Sequence, residues 1–100
     1  MSFMHLLSSP AEIARDVGKN AKKLRLSKNL TRKTLAELSG VSESSIQRFE
    51  TAGSITLESM ILLATALDEL TPLTTLFKPS QPNSLTELKN SKRKRLSLIH

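Results

Sequence analysis

Cysteine is absent from the 100-residue chain, which excludes disulfides and thiolate metal sites. The only histidines, His5 and His100, lie near the two ends, so no metal centre is expected. Tryptophan and tyrosine are also missing and phenylalanine occurs three times, which disfavours single-strand binding by base stacking on aromatic platforms. The longest apolar run, Met60 to Leu67, is interrupted by Thr65 and falls well short of the roughly 20 residues of a membrane-spanning helix. The N-terminus has neither a basic region ahead of a long apolar run nor a cleavage signature. A cytoplasmic protein without membrane association is expected. No Val/Ile-rich alternating segment suggests a sheet in the core, and no internal repeat is visible. The many Ser and Thr residues have no base beside them, and neither a paired acidic cluster nor a Gly-rich phosphate loop occurs. An enzyme and a bound cofactor are therefore not expected.

What the chain does contain is positive charge. Fifteen Lys and Arg stand against nine acidic residues, a formal net charge of +6 with a pI near 10.1. This balance favours polyanionic partners but sets attraction and solubility rather than fold. Between Arg15 and Lys33 eight basic residues face Asp16 alone, a local balance of +7. After Ser84 five basic residues face Glu87, a balance of +4. With 38% hydrophobic residues, the length suits one compact domain with tails.

The caps and spacings predict an all-α domain of five helices. Ser9-Pro10-Ala11-Glu12 starts the first, with Ser9 as N-cap, Pro10 in the first turn and Glu12 closing a capping box. This helix is expected to reach about Lys28, burying Ile13, Val17, Ala21 and Leu24 and leaving Lys19, Lys22 and Lys23 solvated, with Gly18 weakening it slightly. Thr31 caps a second helix over Arg32 to Ser39, with Leu35, Ala36 and Leu38 inward and Gly40 at a left-handed C-cap. Ser42 caps a third over Glu43 to Thr51, with Ile46 and Phe49 on one face, Val41 anchoring the turn before it and Gly53 ending it. Thr56 caps a fourth from Leu57 to about Asp68, with Leu57, Met60, Ile61, Ala64 and Leu67 inward, as the central packing element. Thr71-Pro72 opens a short last helix through Phe77. Pro79, Ser80, Gln81, Pro82 and Asn83 then form a linker. The resulting map is an N-terminal extension over 1–8, a folded domain over 9–78, and a linker with a basic C-terminal tail over 79–100. Ser84-Leu85-Thr86-Glu87 is a second capping box for a short tail helix, while Leu96, Leu98 and Ile99 are equally suited to a strand.

Two short helices joined by Gly40-Val41-Ser42, with small Ala36 four residues before Gly40 and Ile46 and Phe49 after it, form the skeleton of a helix-turn-helix. The small side chain at 36 lets the third helix cross closely, and Gly40 permits a positive φ at the bend. The sequence resembles the phage-repressor-like (Xre/Cro-type) helix-turn-helix family at Leu30-Thr31-Arg32, Leu35-Ala36-Glu37, Gly40-Val41-Ser42, Ser45-Ile46-Gln47-Arg48-Phe49-Glu50 and Gly53. Leu57-Glu58-Ser59-Met60 and Leu63-Ala64-Thr65-Ala66-Leu67 are similar to that family's fourth helix. The resemblance covers about Ala21 to Phe77. It implies a five-helix domain acting as a symmetric dimer, with the third helix as recognition helix and Arg25 and Glu50 as a structural pair. Arg32 stands where the family usually has Gln, and Glu43 where an uncharged or basic residue is commoner.

On the third helix Glu43, Ser44, Ser45, Gln47 and Arg48 are the candidates for base readout: Arg48 to guanine, Gln47 to adenine, Glu43 to a cytosine amino group, Ser44 and Ser45 by close approach. Read blandly, the same residues are a solvated helix face. Lys28, Thr31, Arg32, Lys33 and Thr51 are candidates for phosphate contact; otherwise they are a cap and solvated charges. Lys92, Arg93, Lys94 and Arg95 are a DNA arm, a docking segment for an acidic partner or a solubilising tail. Leu73, Leu76 and Phe77 form a dimer interface or cap the monomer core. The function expected is a sequence-specific transcriptional regulator, more readily a repressor, on a palindromic double-stranded DNA operator. The chain is also similar to DNA-binding antitoxins that accompany kinase toxins, which implies autoregulation and a toxin partner. The competing reading is a protein-interaction module on a helix-turn-helix scaffold without specific DNA binding.

Overall fold

The computed structural model describes residues 8–80. Among them are five helices and no strand: α1 (Pro10–Ser27), α2 (Arg32–Ser39), α3 (Glu43–Ala52), α4 (Leu57–Ala66) and α5 (Thr71–Thr74). No helix there is long and apolar enough to cross a membrane. The expectations for Ser84 to Glu87, for Lys92, Arg93, Lys94 and Arg95, for Leu96, Leu98 and Ile99, and for residues 1–7 lie outside the described residues.

Hydroxyl caps start the first four helices. The Glu12 N–H donates to Ser9 Oγ and the Ser9 N–H to Glu12 Oε1, both at 3.1 Å. Those bonds hold the exposed Glu12 carboxyl below its usual value, the Ser9 backbone N–H contributing most. Thr31, Ser42 and Thr56 accept from the N–H groups of Thr34, Ser45 and Ser59 at 3.0–3.1 Å, each such cap contributing about 1 kcal/mol. Gly40 and Gly53 end α2 and α3 with φ of 79° and 74°, where a Cβ would be strained. Asn29 and Asp68 make the left-handed turns after α1 and α4, a conformation their short polar side chains tolerate.

Leu35, Val41, Ile46, Phe49, Leu63 and Leu67 form the buried core, with Leu24, Leu30, Ile55 and Met60 packed against it. The central element is α3 rather than α4, since both α1 and α2 pack on α3 while α4 meets α2. On α1 Ala21 and Leu24 turn inward as expected, but towards the N-terminus the inward positions are Ala14 and Gly18 rather than Ile13 and Val17, which are exposed, and Arg25 is buried as well. Gly18 is where α1 crosses α3: a Cβ there would overlap the Phe49 carbonyl. A Cβ on Gly53 would likewise strike the backbone of Ala14 and Arg15. Glycine at 18 is thus less a weakness of the helix than the condition for the crossing.

Three further expectations are corrected. Leu38 is 62% exposed because α2 buries Leu35 and Ser39 and half-buries Ala36, a narrow arc with Leu38 about 110° from its centre at about 100° per residue. Leu57 and Ile61 are exposed and Leu63 is buried instead. The fourth helix is apolar on nearly every side, so its periodicity does not choose a face. The last helix stops at Thr74, and a turn carries the chain through Phe77.

Candidate nucleic-acid interface

The junction of α2 and α3 is fixed from inside. Buried Ser39 accepts the Val41 N–H on its Oγ at 3.1 Å, and Val41 sits in the core. Ser39 was not among the residues singled out in the sequence; a Ser ahead of the Gly turn was the available signal, since hydroxyls mimic turn hydrogen bonds. With Ile46, Phe49 and Glu50 buried, the helical period turns the other side of α3 outward.

That outward face carries Glu43, Ser44, Gln47, Arg48 and Thr51, all exposed. Ser45 is half-buried at its edge, where its Oγ accepts from Ser42 Oγ at 2.9 Å. Ser44 Oγ lies 3.2 Å from Ser42 Oγ. Thr51 Oγ1 donates to the Gln47 carbonyl at 2.8 Å, so it is turned along its own helix. A groove of about 260 Å³, of mixed polar and apolar lining, flanks the face between Arg48, Ser45 and the loop residues Ser54, Ile55 and Thr56. On the buried side of α3 an apolar groove of about 240 Å³ is lined by Val17, Leu24, Phe49, Met60, Leu67 and Leu73.

The basic candidates gather where α1 ends and α2 begins. Lys28 and Lys33 are exposed, as is the capping Thr31. Arg25 is buried and grips Glu50 side-on, Nε to Oε2 at 2.7 Å and Nη2 to Oε1 at 3.1 Å, while Nη1 donates to the Leu30 carbonyl at 2.8 Å. Arg32 joins the same carboxylate, Nε to Glu50 Oε1 at 2.9 Å. Burial alone would raise the Glu50 pKa, but the hydrogen bonds from Arg25 and Arg32 outweigh it and hold the carboxyl below its usual value near 4.5. No buried side-chain N or O atom among the described residues lacks a partner. The part Arg32 takes in this cluster was not foreseen from the sequence, because nothing in the spacing of 32 and 50 announces a contact across α2 and α3. No group of His, Cys, Asp or Glu that could hold a metal ion occurs among the described residues.

A family model described as helix-turn-helix matches residues 22–73, from within α1 to α5 and more than half of the chain. The chain belongs to this Xre/Cro-like helix-turn-helix family. No curated protein matches it. The helix-turn-helix family is one of DNA-binding transcription regulators, and its motif here is α2, the Gly40 turn and α3. The exposed face of α3 and the basic start of α2 are consequently the candidate interface with DNA.

Proposed function

We propose that the protein is a sequence-specific transcriptional repressor that sets α3 in the major groove of a palindromic operator as a homodimer. The observation that carries this reading is the outward face of α3, where Arg48, Gln47, Ser44 and Glu43 stand together on a helix held from behind by the core. Arg48 donates bidentately to guanine, Gln47 pairs with adenine, and Glu43 accepts from a cytosine amino group. Ser44 and Ser45 permit close approach to the groove floor. Lys28, Thr31, Arg32 and Lys33 set register on phosphates without reading sequence, and Thr51 would join them only by releasing the Gln47 carbonyl to which its hydroxyl donates. Two half-sites roughly 34 Å apart receive the two recognition helices. Leu76 and Phe77, exposed after α5, together with Leu73 supply the apolar contact between protomers. Bound across a promoter, such a dimer blocks transcription.

Titration of labelled DNA from the region upstream of the gene, alongside an unbiased sequence pool, tests the reading. A preferred duplex and affinity that falls steeply with salt are expected. If no duplex is preferred, the repressor reading falls and the protein-interaction module takes its place. The antitoxin role adds a kinase toxin as partner, in keeping with the single domain that opens on the Ser9-Pro10 cap. Co-expression of the chain with the kinase from a neighbouring gene is expected to yield a stable complex; separate elution of the two removes that role and leaves the repressor intact.

A further inference from the structure

We infer that Glu50 is a positioning residue for DNA binding: it fixes the guanidinium of Arg32 at the start of α2 so that Arg32 meets a phosphate as a pre-oriented donor. The inference deepens the DNA-binding reading and rests on it. An arginine in the first turn of a helix ordinarily samples many rotamers, and ordering it on a ligand costs side-chain entropy. Here the Nε of Arg32 is already taken by Glu50 Oε1 at 2.9 Å. The carboxylate cannot follow the arginine outward, because Arg25 holds both its oxygens. Arg25 is in turn tied to the Leu30 carbonyl, one residue ahead of the Thr31 cap. A continuous chain of bonds therefore runs from the core to the first turn of α2.

Exposure divides the cluster into an inner and an outer part. The side chains of Arg25 and Glu50 are 6% and 1% exposed, against 31% for Arg32. The terminal nitrogens of Arg32 make no hydrogen bond to any described residue, so they keep donors for a ligand. Two guanidiniums on one carboxylate leave a net charge of +1, placed at a helix start whose amides also attract anions. A phosphate is the ligand this arrangement fits, and on duplex DNA it is the phosphate nearest the α2 N-terminus. Lysine at 32 would keep the charge but not the fork that bonds Glu50 and phosphate at once.

The test compares the natural chain, Arg32→Ala and Arg32→Lys on the preferred duplex over a range of salt, with circular dichroism confirming equal helix content. Arg32→Ala is expected to reduce the salt slope by about 0.9. Arg32→Lys is expected to retain the slope but bind roughly tenfold more weakly, the loss of one charge-assisted hydrogen bond. Glu50→Gln, measured at a temperature where it is folded, should weaken the natural chain yet add little to Arg32→Ala. An unchanged slope in Arg32→Ala, or Arg32→Lys binding as tightly as the natural chain, overturns the inference. Absence of a preferred duplex for the natural chain would overturn the DNA-binding reading itself, a separate result.

Discussion

Where α1 crosses α3 the backbones touch through Gly18 and Gly53 and a buried ion pair closes the far end, whereas around α4 and α5 Leu57, Ile61, Leu62, Leu70, Leu76 and Phe77 face solvent. The first region allows almost no adjustment: glycine contacts do not slide as side chains do, and a bidentate pair has one geometry. It sets the angle at which α3 stands. The second has apolar surface to spare, and Phe77, 96% exposed, contributes little to the monomer. The first region therefore fixes α3, the helix proposed to read DNA, while the second leaves apolar side chains exposed around α4 and α5.

Glu50→Ala should break the rigid region most severely. It leaves Arg25 buried without its carboxylate, which costs about 3–5 kcal/mol, and thermal unfolding should show a correspondingly lowered Tm or no folded state. Gly18→Ala comes next, at about 1–3 kcal/mol, because the added Cβ meets the Phe49 carbonyl rather than a movable side chain; denaturant unfolding checks it. A cost below a few tenths would mean that the crossing is looser than described.

Acid should act on the same region. The Glu50 carboxyl is held below 4.5 in the folded state, so the unfolded chain takes up its proton first as pH falls. Its contribution is complete above about 4.5 and is lost below that, as pH drops through the folded-state value. Tm measured from pH 7 to pH 3 should fall for the natural chain and fall less for Glu50→Gln. Equal acid sensitivity would place the cause elsewhere, Glu12 included. The smallest effect on the monomer belongs to the open region: Phe77→Ser should change monomer stability by no more than about 0.5 kcal/mol yet weaken self-association in sedimentation at rising concentration. A strongly destabilised monomer would show that Phe77 caps the core instead.

Much of this contrast was legible in the sequence at the level of caps and turns. Ser9, Thr31, Ser42 and Thr56 start helices as their hydroxyls suggest, and Gly40 and Gly53 end α2 and α3, because these signals are local and need no knowledge of neighbours. Faces were harder to read. Val17 and Leu57 are apolar yet exposed, while Gly18 and Ser39 are buried, since what decides burial there is close backbone approach or a turn hydrogen bond. The largely apolar α4 carried only a weak directional signal: Met60, Ala64 and Leu67 turn inward as expected, but Leu57 and Ile61 do not. At the interface, Glu43, Ser44, Gln47 and Arg48 could be placed on one face by counting residues, but the junction of Arg32 with Glu50 depends on how α2 packs on α3, which spacing alone does not encode.

The most direct test of the outward face of α3 as the DNA-reading surface is a titration of the natural chain and Arg48→Ala on the preferred duplex and on a scrambled one of equal length. Arg48→Ala should cost about 1–3 kcal/mol on the preferred duplex and little on the scrambled one. Equal losses on both duplexes would reduce Arg48 to a phosphate contact, and no loss on either would contradict the assignment of α3 as the recognition helix.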